Sequence, residues 1–481
     1  MPSDKADVSD LAADLCVIGA GAAGLTTAAI AAQLGARTVL IERGRMGGEC
    51  LNTGCVPSKA LLAAAKAAHG ARTSRRFGVS AAEPDIDFAA VHRHVRGVIE
   101  AIAPHDSAER FAGFGVEVIH AEARFVGPRE VVAGDRRVRS RRVVIATGSE
   151  PAIPAIAGID GVAYFTNETI FDNDQLPSHL VIIGAGPIGI ELAQAYRRLG
   201  AAVTVVEAAR AMPRDDPELA AMLLECLANE RVSIRQQAEV KSIARTGAGI
   251  ALTIEEDGRQ SRIEGSHLLV AAGRKPRLEA LDLDRAGVAY GVRGITVDRR
   301  LRTTARGVYA IGDAIDGPRF THVAGYQAGI VIRNALFHLP ARADYAALPW
   351  VTYTDPELAQ VGATEAEGRR RYGDDIGVIR VPLAENDRAQ AERSTSGIVK
   401  IVARRDGHIL GASLLGAHAG ELAHVWVLAI EQRLKLKDIA GMLAPYPTWG
   451  EASKMAAVEF YKPRLFSPWT RRLVRAVSWL P

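Results

Sequence analysis

The chain has 481 residues, 48% of them apolar and 24% charged, with a net charge of +4. That length implies about three domains at ~150 residues each, and the small, dispersed basic excess carries no nucleic-acid motif, so a nucleic-acid partner is excluded. Four cysteines exclude a secreted disulfide framework, and no run reaches the ~18 apolar residues of a membrane span.

Residues 1–14 are polar and acidic and lack a charged-then-apolar leader, which points to a cytoplasmic protein. From residue 14 an apolar strand runs into Gly19-x-Gly21-x-x-Gly24. An alanine-rich helix follows to about Gln33, and a second strand, 38–41, ends on Glu42. Strand, glycine turn, helix and acid at this spacing bind a dinucleotide: backbone N–H groups reach the pyrophosphate, and the acid accepts from a ribose. Cys16 lies in the first strand and reads as core.

Residues 47–59 place Cys50 and Cys55 in a Cys-x4-Cys run between glycines, ending in Val-Pro-Ser-Lys59. Half of all cysteines fall in six positions, so the pair reads as reactive rather than structural. Pro57 fits the first turn of a helix continuing from Lys59 to Ala68, and the positive end of that helix favours a thiolate. A pair of buried thiols is one alternative. Half of a zinc site is another, but no second ligand pair lies at suitable spacing.

A long helix is expected after Asp87, with His92 and His94 solvated on it. Residues 146–149 read Ala-Thr147-Gly148-Ser, and prolines at 151 and 154 mark an exit from the first domain. A second full dinucleotide unit then appears, with Gly184-x-Gly186-x-x-Gly189, a helix carrying Glu191, and a strand ending on Glu207. Glu207 would accept from a ribose 2′-hydroxyl and repel a 2′-phosphate. This favours NADH over NADPH, although Arg210 softens the exclusion. Cys226 sits in an apolar helix and reads as core. Ala-Gly273-Arg-Lys-Pro and Val-Tyr-Ala-Ile-Gly-Asp313-Ala follow, then His322. A new pattern starts near 348 and includes Pro-Tyr446-Pro-Thr-Trp-Gly-Glu451.

Together these motifs resemble the flavin-dependent pyridine nucleotide-disulfide oxidoreductases of class I, the group of dihydrolipoamide dehydrogenase, glutathione reductase and mercuric reductase. The resemblance covers nearly the whole chain. It implies an α/β fold with two Rossmann-like domains, FAD-binding (1–150 and 273–345) and NAD(P)-binding (151–272), plus a C-terminal α+β dimerisation domain (346–465) and a tail (466–481). It implies FAD held by Gly19, Gly21, Gly24, Glu42, Gly48, Lys59, Thr147, Gly148, Asp313 and His322, with a packed core histidine as the alternative for His322. It implies NADH, or NADPH, held by Gly184, Gly186, Gly189, Glu191, Glu207 and Gly273, and no resident metal. By the same resemblance Cys55 lies against the flavin and forms its charge-transfer thiolate, Cys50 faces the substrate, and Lys59 pairs with Glu191 near the flavin.

The chain departs from the dithiol-handling members at the C-terminal motif, where they carry His-Pro with a glutamate five residues on. Tyr446-Pro447 stands there, with Glu451 at the same spacing. Mercuric reductases resemble it in having a tyrosine, but this chain lacks their C-terminal cysteine pair, since no cysteine follows Cys226. A tyrosine titrates near ~10 and is a poor base at neutrality, so the acceptor is a small disulfide, a metal ion or a quinone. The resemblance also implies a homodimer and a cis Tyr446–Pro447 bond. A flavin redox sensor or assembly subunit without turnover is the other function class. The tail reads as an amphipathic helix with Trp469, Leu473, Val477 and Leu480 opposite Arg471, Arg472 and Arg475. Packing on the partner subunit is favoured for it over weak contact with a membrane surface.

Overall fold

The computed structural model describes residues 9–247 and 249–478, and these divide into two compact units. One comprises the chain up to Gly184, Arg198–Ala208 and Ala238–Asp344. The other comprises Ala185–Arg197, Ala209–Gln237 and the chain from Tyr345 on. The division runs through the segment 151–272.

The first unit is built on a parallel sheet. Its Ser9–Ile18 strand lies between Thr38–Glu42 and Arg136–Ile145, with Cys16 opposite Val39 and Val143. Val116–His120 extends one side and Val308–Ala310 pairs the far half of Arg136–Ile145. Both faces are covered, so residues 15–18 are buried without alternation, as expected of a central parallel strand. Cys16 is fully buried there, and burial pushes its thiol up to about 12, which makes it inert core as expected. A second parallel set places His179–Ile183 between Ala202–Glu207 and His267–Val270. The antiparallel strands Ala238–Thr246, Gly249–Glu256 and Arg259–Gly265 lie nearby in sequence.

The helix expected after Asp87 spans Phe88–Ile102, and the Asp87 carboxylate caps it by accepting from the Ala90 N–H. His92 accepts from the Arg96 guanidinium one turn on, and His94 is exposed, as anticipated.

The second unit carries an antiparallel sheet in the order Pro349–Thr352, Glu357–Gly362, Ile409–Gly416, Ile398–Arg404, Ile376–Pro382. Its core centres on Trp426, which is fully buried and donates its indole N–H to Ser453. The Lys400 ammonium is 3% exposed and pairs with Asp216 (2.8 Å), Glu218 (2.8 Å) and Glu365 (3.0 Å). Burial alone would raise Glu365. Hydrogen bonds from Lys400 and Arg369 draw it down to about 2 instead. Cys226 departs from expectation. Its helix, Pro217–Asn229, turns it to a half-buried position rather than into the core.

No helix among the described residues is long and apolar enough to cross a membrane.

Candidate functional site

Two glycine-rich segments of the first unit meet at backbone distance. Gly21 caps the helix Ala22–Gln33 without any side-chain hydrogen bond, which leaves the cap open to an anionic ligand. Gly48 has φ +57°, and a Cβ there would lie 2.6 Å from the Gly21 Cα. Gly19 has φ +103°, and a Cβ would lie 2.4 Å from the Ala146 carbonyl oxygen. Only glycine fits at either position. The Glu42 carboxylate closes the cradle, accepting from the Ala20 N–H at 2.6 Å and the Gly44 N–H at 2.7 Å. A glycine-lined turn at an uncapped helix N-terminus, with a fixed carboxylate at the neighbouring strand end, fits the pyrophosphate and ribose of FAD.

The cysteines follow directly. Cys50 sits in the short helix Gly48–Asn52, and Cys55 is the first residue of the helix Cys55–Thr73, which has Pro57 in its first turn as expected and runs past Ala68. Cys50 is half-buried and Cys55 exposed. Cys50 is raised well above the usual thiol range, first by its hydrogen bond to Cys55 and next by burial, while Thr321 pulls it down. Thr321 Oγ1 lies 3.4 Å from Cys55 Sγ. It opens the helix Thr321–Ala335, so a second helix start faces the thiol pair. Thr321→Val keeps the shape and removes the hydroxyl. The pH midpoint for alkylation of the dithiol is expected to rise by about one unit, measured by iodoacetamide rates from pH 5 to 10, and an unmoved midpoint removes Thr321 from the site.

Behind Cys50 lies a polar network that sequence reading missed. The strand Ser149–Pro151 pairs antiparallel with Arg274–Pro276, bringing Arg274 beside Ser149. The Arg274 guanidinium donates to Ser149 Oγ (2.8 Å), to Asn167 Oδ1 (3.2 Å) and to the Glu49 carboxylate. Asn167 donates to Glu49 at 2.9 Å, and Ser149 donates to Asp313 at 2.6 Å. A chain of hydrogen bonds thus links the residue before Cys50 to Asp313. Burial pushes the Glu49 carboxyl up to about 7 against the pull of Arg274. Of these five residues only Asp313 was singled out from sequence. The arginine of the Gly-Arg-Lys-Pro motif was the one signal available for the rest.

The other expected flavin residues lie in the same unit. Thr147 donates to the Arg277 carbonyl at 2.9 Å, and the Gly148 carbonyl accepts from the Arg277 N–H at 3.0 Å. Lys59 lies one turn into the cysteine helix, its ammonium 3.3 Å from Ser58 Oγ. His322 is exposed and stacks on Phe320 (5.3 Å between centroids), so it is not a packed core histidine.

The second dinucleotide motif has the expected local form. Gly184 follows the His179–Ile183 strand, Gly186 and Gly189 bracket the start of the helix Pro187–Leu199, and Glu207 ends the Ala202–Glu207 strand. The Gly273 carbonyl accepts from the Ala152 N–H at 2.9 Å. Glu191 is buried in the second unit and accepts from the Tyr353 N–H at 2.8 Å. Lys59 and Glu191 therefore belong to different units.

In the second unit the Tyr446–Pro447 bond is cis, as expected. Tyr446 is 71% exposed, and its hydroxyl donates to Asp387 Oδ2 at 2.9 Å. That carboxylate holds the phenol above its ordinary value. Glu451 opens the helix Glu451–Glu459 and accepts from the Thr448 N–H at 3.3 Å.

Residues 13–328 match the family model of the pyridine nucleotide-disulphide oxidoreductases, and 348–457 match that family's dimerisation domain. A mercuric reductase of Streptomyces lividans is 38% identical over 93% of this chain and 96% of its own length. A dihydrolipoyl dehydrogenase of Geobacillus stearothermophilus is 35% identical over 92% and 94%. The Cu(II) complex of the HOCl-induced flavoprotein disulfide reductase RclA of Escherichia coli superposes with a TM-score of 0.82 at 27% identity, covering 92% of this chain and 98% of that one.

Proposed function

Because the chain belongs to the pyridine nucleotide-disulphide oxidoreductase family, we propose that this FAD-dependent NAD(P)H oxidoreductase delivers its electrons from the Cys50–Cys55 dithiol to a soft metal cation. Bound FAD supplies the two-electron relay between the nicotinamide and sulfur. Gly19, Gly21, Gly24, Gly48 and Glu42 hold its pyrophosphate and ribose, while Thr147, Gly148, Asp313 and His322 line the rest. Gly184, Gly186, Gly189, Glu207 and Gly273 hold the nicotinamide cofactor, with NADH preferred through Glu207. Lys59, one turn into the cysteine helix, supplies a positive charge at the ring. Cys55, at a helix start and beside the Thr321 hydroxyl, is the thiolate next to the flavin, and Cys50 receives the acceptor. The working assembly is a homodimer, with Tyr446 and Glu451 serving the other subunit's site. A chain with only four cysteines suits a reducing cytoplasm.

The observation that carries the choice of acceptor is the Tyr446–Asp387 hydrogen bond. A disulfide acceptor consumes a proton: NAD(P)H, H⁺ and RSSR give NAD(P)⁺ and two RSH. Some group must deliver that proton to a leaving thiolate. A divalent cation reduced by two electrons releases one instead: NAD(P)H and M²⁺ give NAD(P)⁺, H⁺ and M⁰. Tyr446, held protonated by Asp387, is neither a base at neutral pH nor an improved acid. It suits the second reaction, as a neutral oxygen near the approaching cation.

Purified holoprotein is assayed with NADH against Hg(II), Cu(II), lipoamide, glutathione disulfide and menadione. Hg(II) is expected to turn over at least ~10-fold faster than either disulfide. Tyr446→His, which restores a neutral-pH base, is expected to raise the lipoamide rate by up to ~10²-fold. A wild type that prefers lipoamide overturns the acceptor assignment. Preference for menadione points to a quinone-type reductase. Flavin that bleaches with NADH but is reoxidised by none of them points to a sensor or assembly subunit.

A further inference from the structure

The helix Pro468–Val477 lies beyond residue 457, where the match to the dimerisation domain ends. It is well formed: Ser467 caps it by accepting from the Thr470 N–H, and Pro468 takes the first turn. At 3.6 residues per turn, Trp469, Leu473, Val474 and Val477 fall within an arc of about 140°. Arg471, Arg475 and Arg472 occupy an opposite arc of about 100°. All four apolar side chains are exposed, Trp469 by 69% and Val474 by 60%. Leu465 and Phe466, just before the helix, are exposed as well. Leu480 lies outside the described residues.

Charge decides what suits this surface. Residues 467–478 hold Arg471, Arg472 and Arg475 and no acidic residue, and the nearest preceding acid, Glu459, is paired with Lys462. A uniformly cationic edge beside an exposed tryptophan and branched aliphatics suits an anionic bilayer. There the apolar arc enters the headgroup boundary, the indole sits at the interface, and the arginines are attracted to the anionic headgroups. A homodimer carries two such tails, and two weak anchors on one particle bind far more tightly than one when both engage.

We propose that the C-terminal helix docks the protein reversibly on an anionic phospholipid surface, with Trp469, Leu473, Val474 and Val477 inserted and Arg471, Arg472 and Arg475 at the headgroups.

The test is co-sedimentation of full-length holoprotein with vesicles of phosphatidylcholine containing about 30% phosphatidylglycerol, against phosphatidylcholine alone. Binding is expected on the anionic vesicles only. It should fall at least ~10-fold in ~0.5 M salt and by a similar factor in the triple variant R471Q/R472Q/R475Q. Trp469→Ala with Leu473→Ala should weaken it comparably at low salt. NADH-dependent turnover in solution should be unchanged in each variant, so failure of this proposal leaves the acceptor assignment untouched. Equal binding by wild type and a chain lacking 467–481 overturns it. So does loss of the dimer, seen by light scattering, in variants that never bound vesicles, because the tail then covers a second copy.

Discussion

Cys55→Ala is expected to lower NADH-dependent reduction of Hg(II) by at least ~10³-fold, equivalent to about 4 kcal/mol of transition-state stabilisation. Cys50→Ala should fall as far, because two sulfurs acting as one device are not additive. Reduction of the bound flavin by NADH should persist at its normal rate in both variants, since hydride reaches the ring before either sulfur is involved. The two sulfurs form one unit: Cys55 starts a helix, lies 3.4 Å from the Thr321 hydroxyl, and shares a hydrogen bond with Cys50. Steady-state turnover and single-mixing flavin bleaching separate the two events. Should either variant reduce its acceptor at the wild-type rate, electrons leave from the flavin directly and the dithiol is a bystander.

Arg274→Leu is expected to cost about 2–3 kcal/mol of stability, less than for a fully buried pair because Glu49 is 30% exposed. Arg274 is 14% exposed and serves Glu49, Asn167 and Ser149 together, with Asp313 3.9 Å away. Its loss leaves the Glu49 charge uncompensated next to Cys50 and frees Ser149, which positions Asp313. FAD should be retained less well, seen as a lower flavin-to-protein ratio after dialysis.

The pH dependence has a definite sign. Glu49 is already raised in the folded state to about 7, above its ordinary 4.5. Removing Arg274 takes away the next cause in order, a lowering one, and so raises it further. A carboxyl raised by folding contributes its stability at low pH and loses it as pH climbs through the folded value. The gap in Tm between wild type and Arg274→Leu should therefore widen from pH 6 to pH 8. A gap that narrows means another group bears the cost.

Much of this site was legible because its parts are local. A strand, three glycines and an acid within residues 14–42 describe one turn of backbone, and Cys50, Cys55 and Pro57 lie within a few residues of one another. The substitution of tyrosine at 446 was equally plain, since Tyr446-Pro447 and Glu451 keep a fixed spacing. The network around Arg274 was not legible. Its contacts join residues 107 to 225 positions apart, and no periodicity in either segment announces them. They follow from one antiparallel pairing of two three-residue strands, Ser149–Pro151 and Arg274–Pro276, too short to read in advance. Thr321 was hidden for the same reason. The neighbouring His322 is the more conspicuous residue type, yet it is the threonine whose hydroxyl reaches sulfur. Cys226 misled in the opposite way: an apolar helix was taken to bury every face, and this one leaves the thiol half open.

The contact between Gly48 and Gly21 bears on engineering. A methyl at 48 would strike main-chain atoms, whereas one at 21 would meet only the Gly48 Cα at 3.9 Å. Main chain has no rotamer with which to yield, so a misfit at 48 would be passed intact into the phosphate turn. Grafting the sulfur-bearing loop from one relative to another can thus succeed only with glycine at that position. The spacing between nucleotide and sulfur is set by a ruler made of backbone alone.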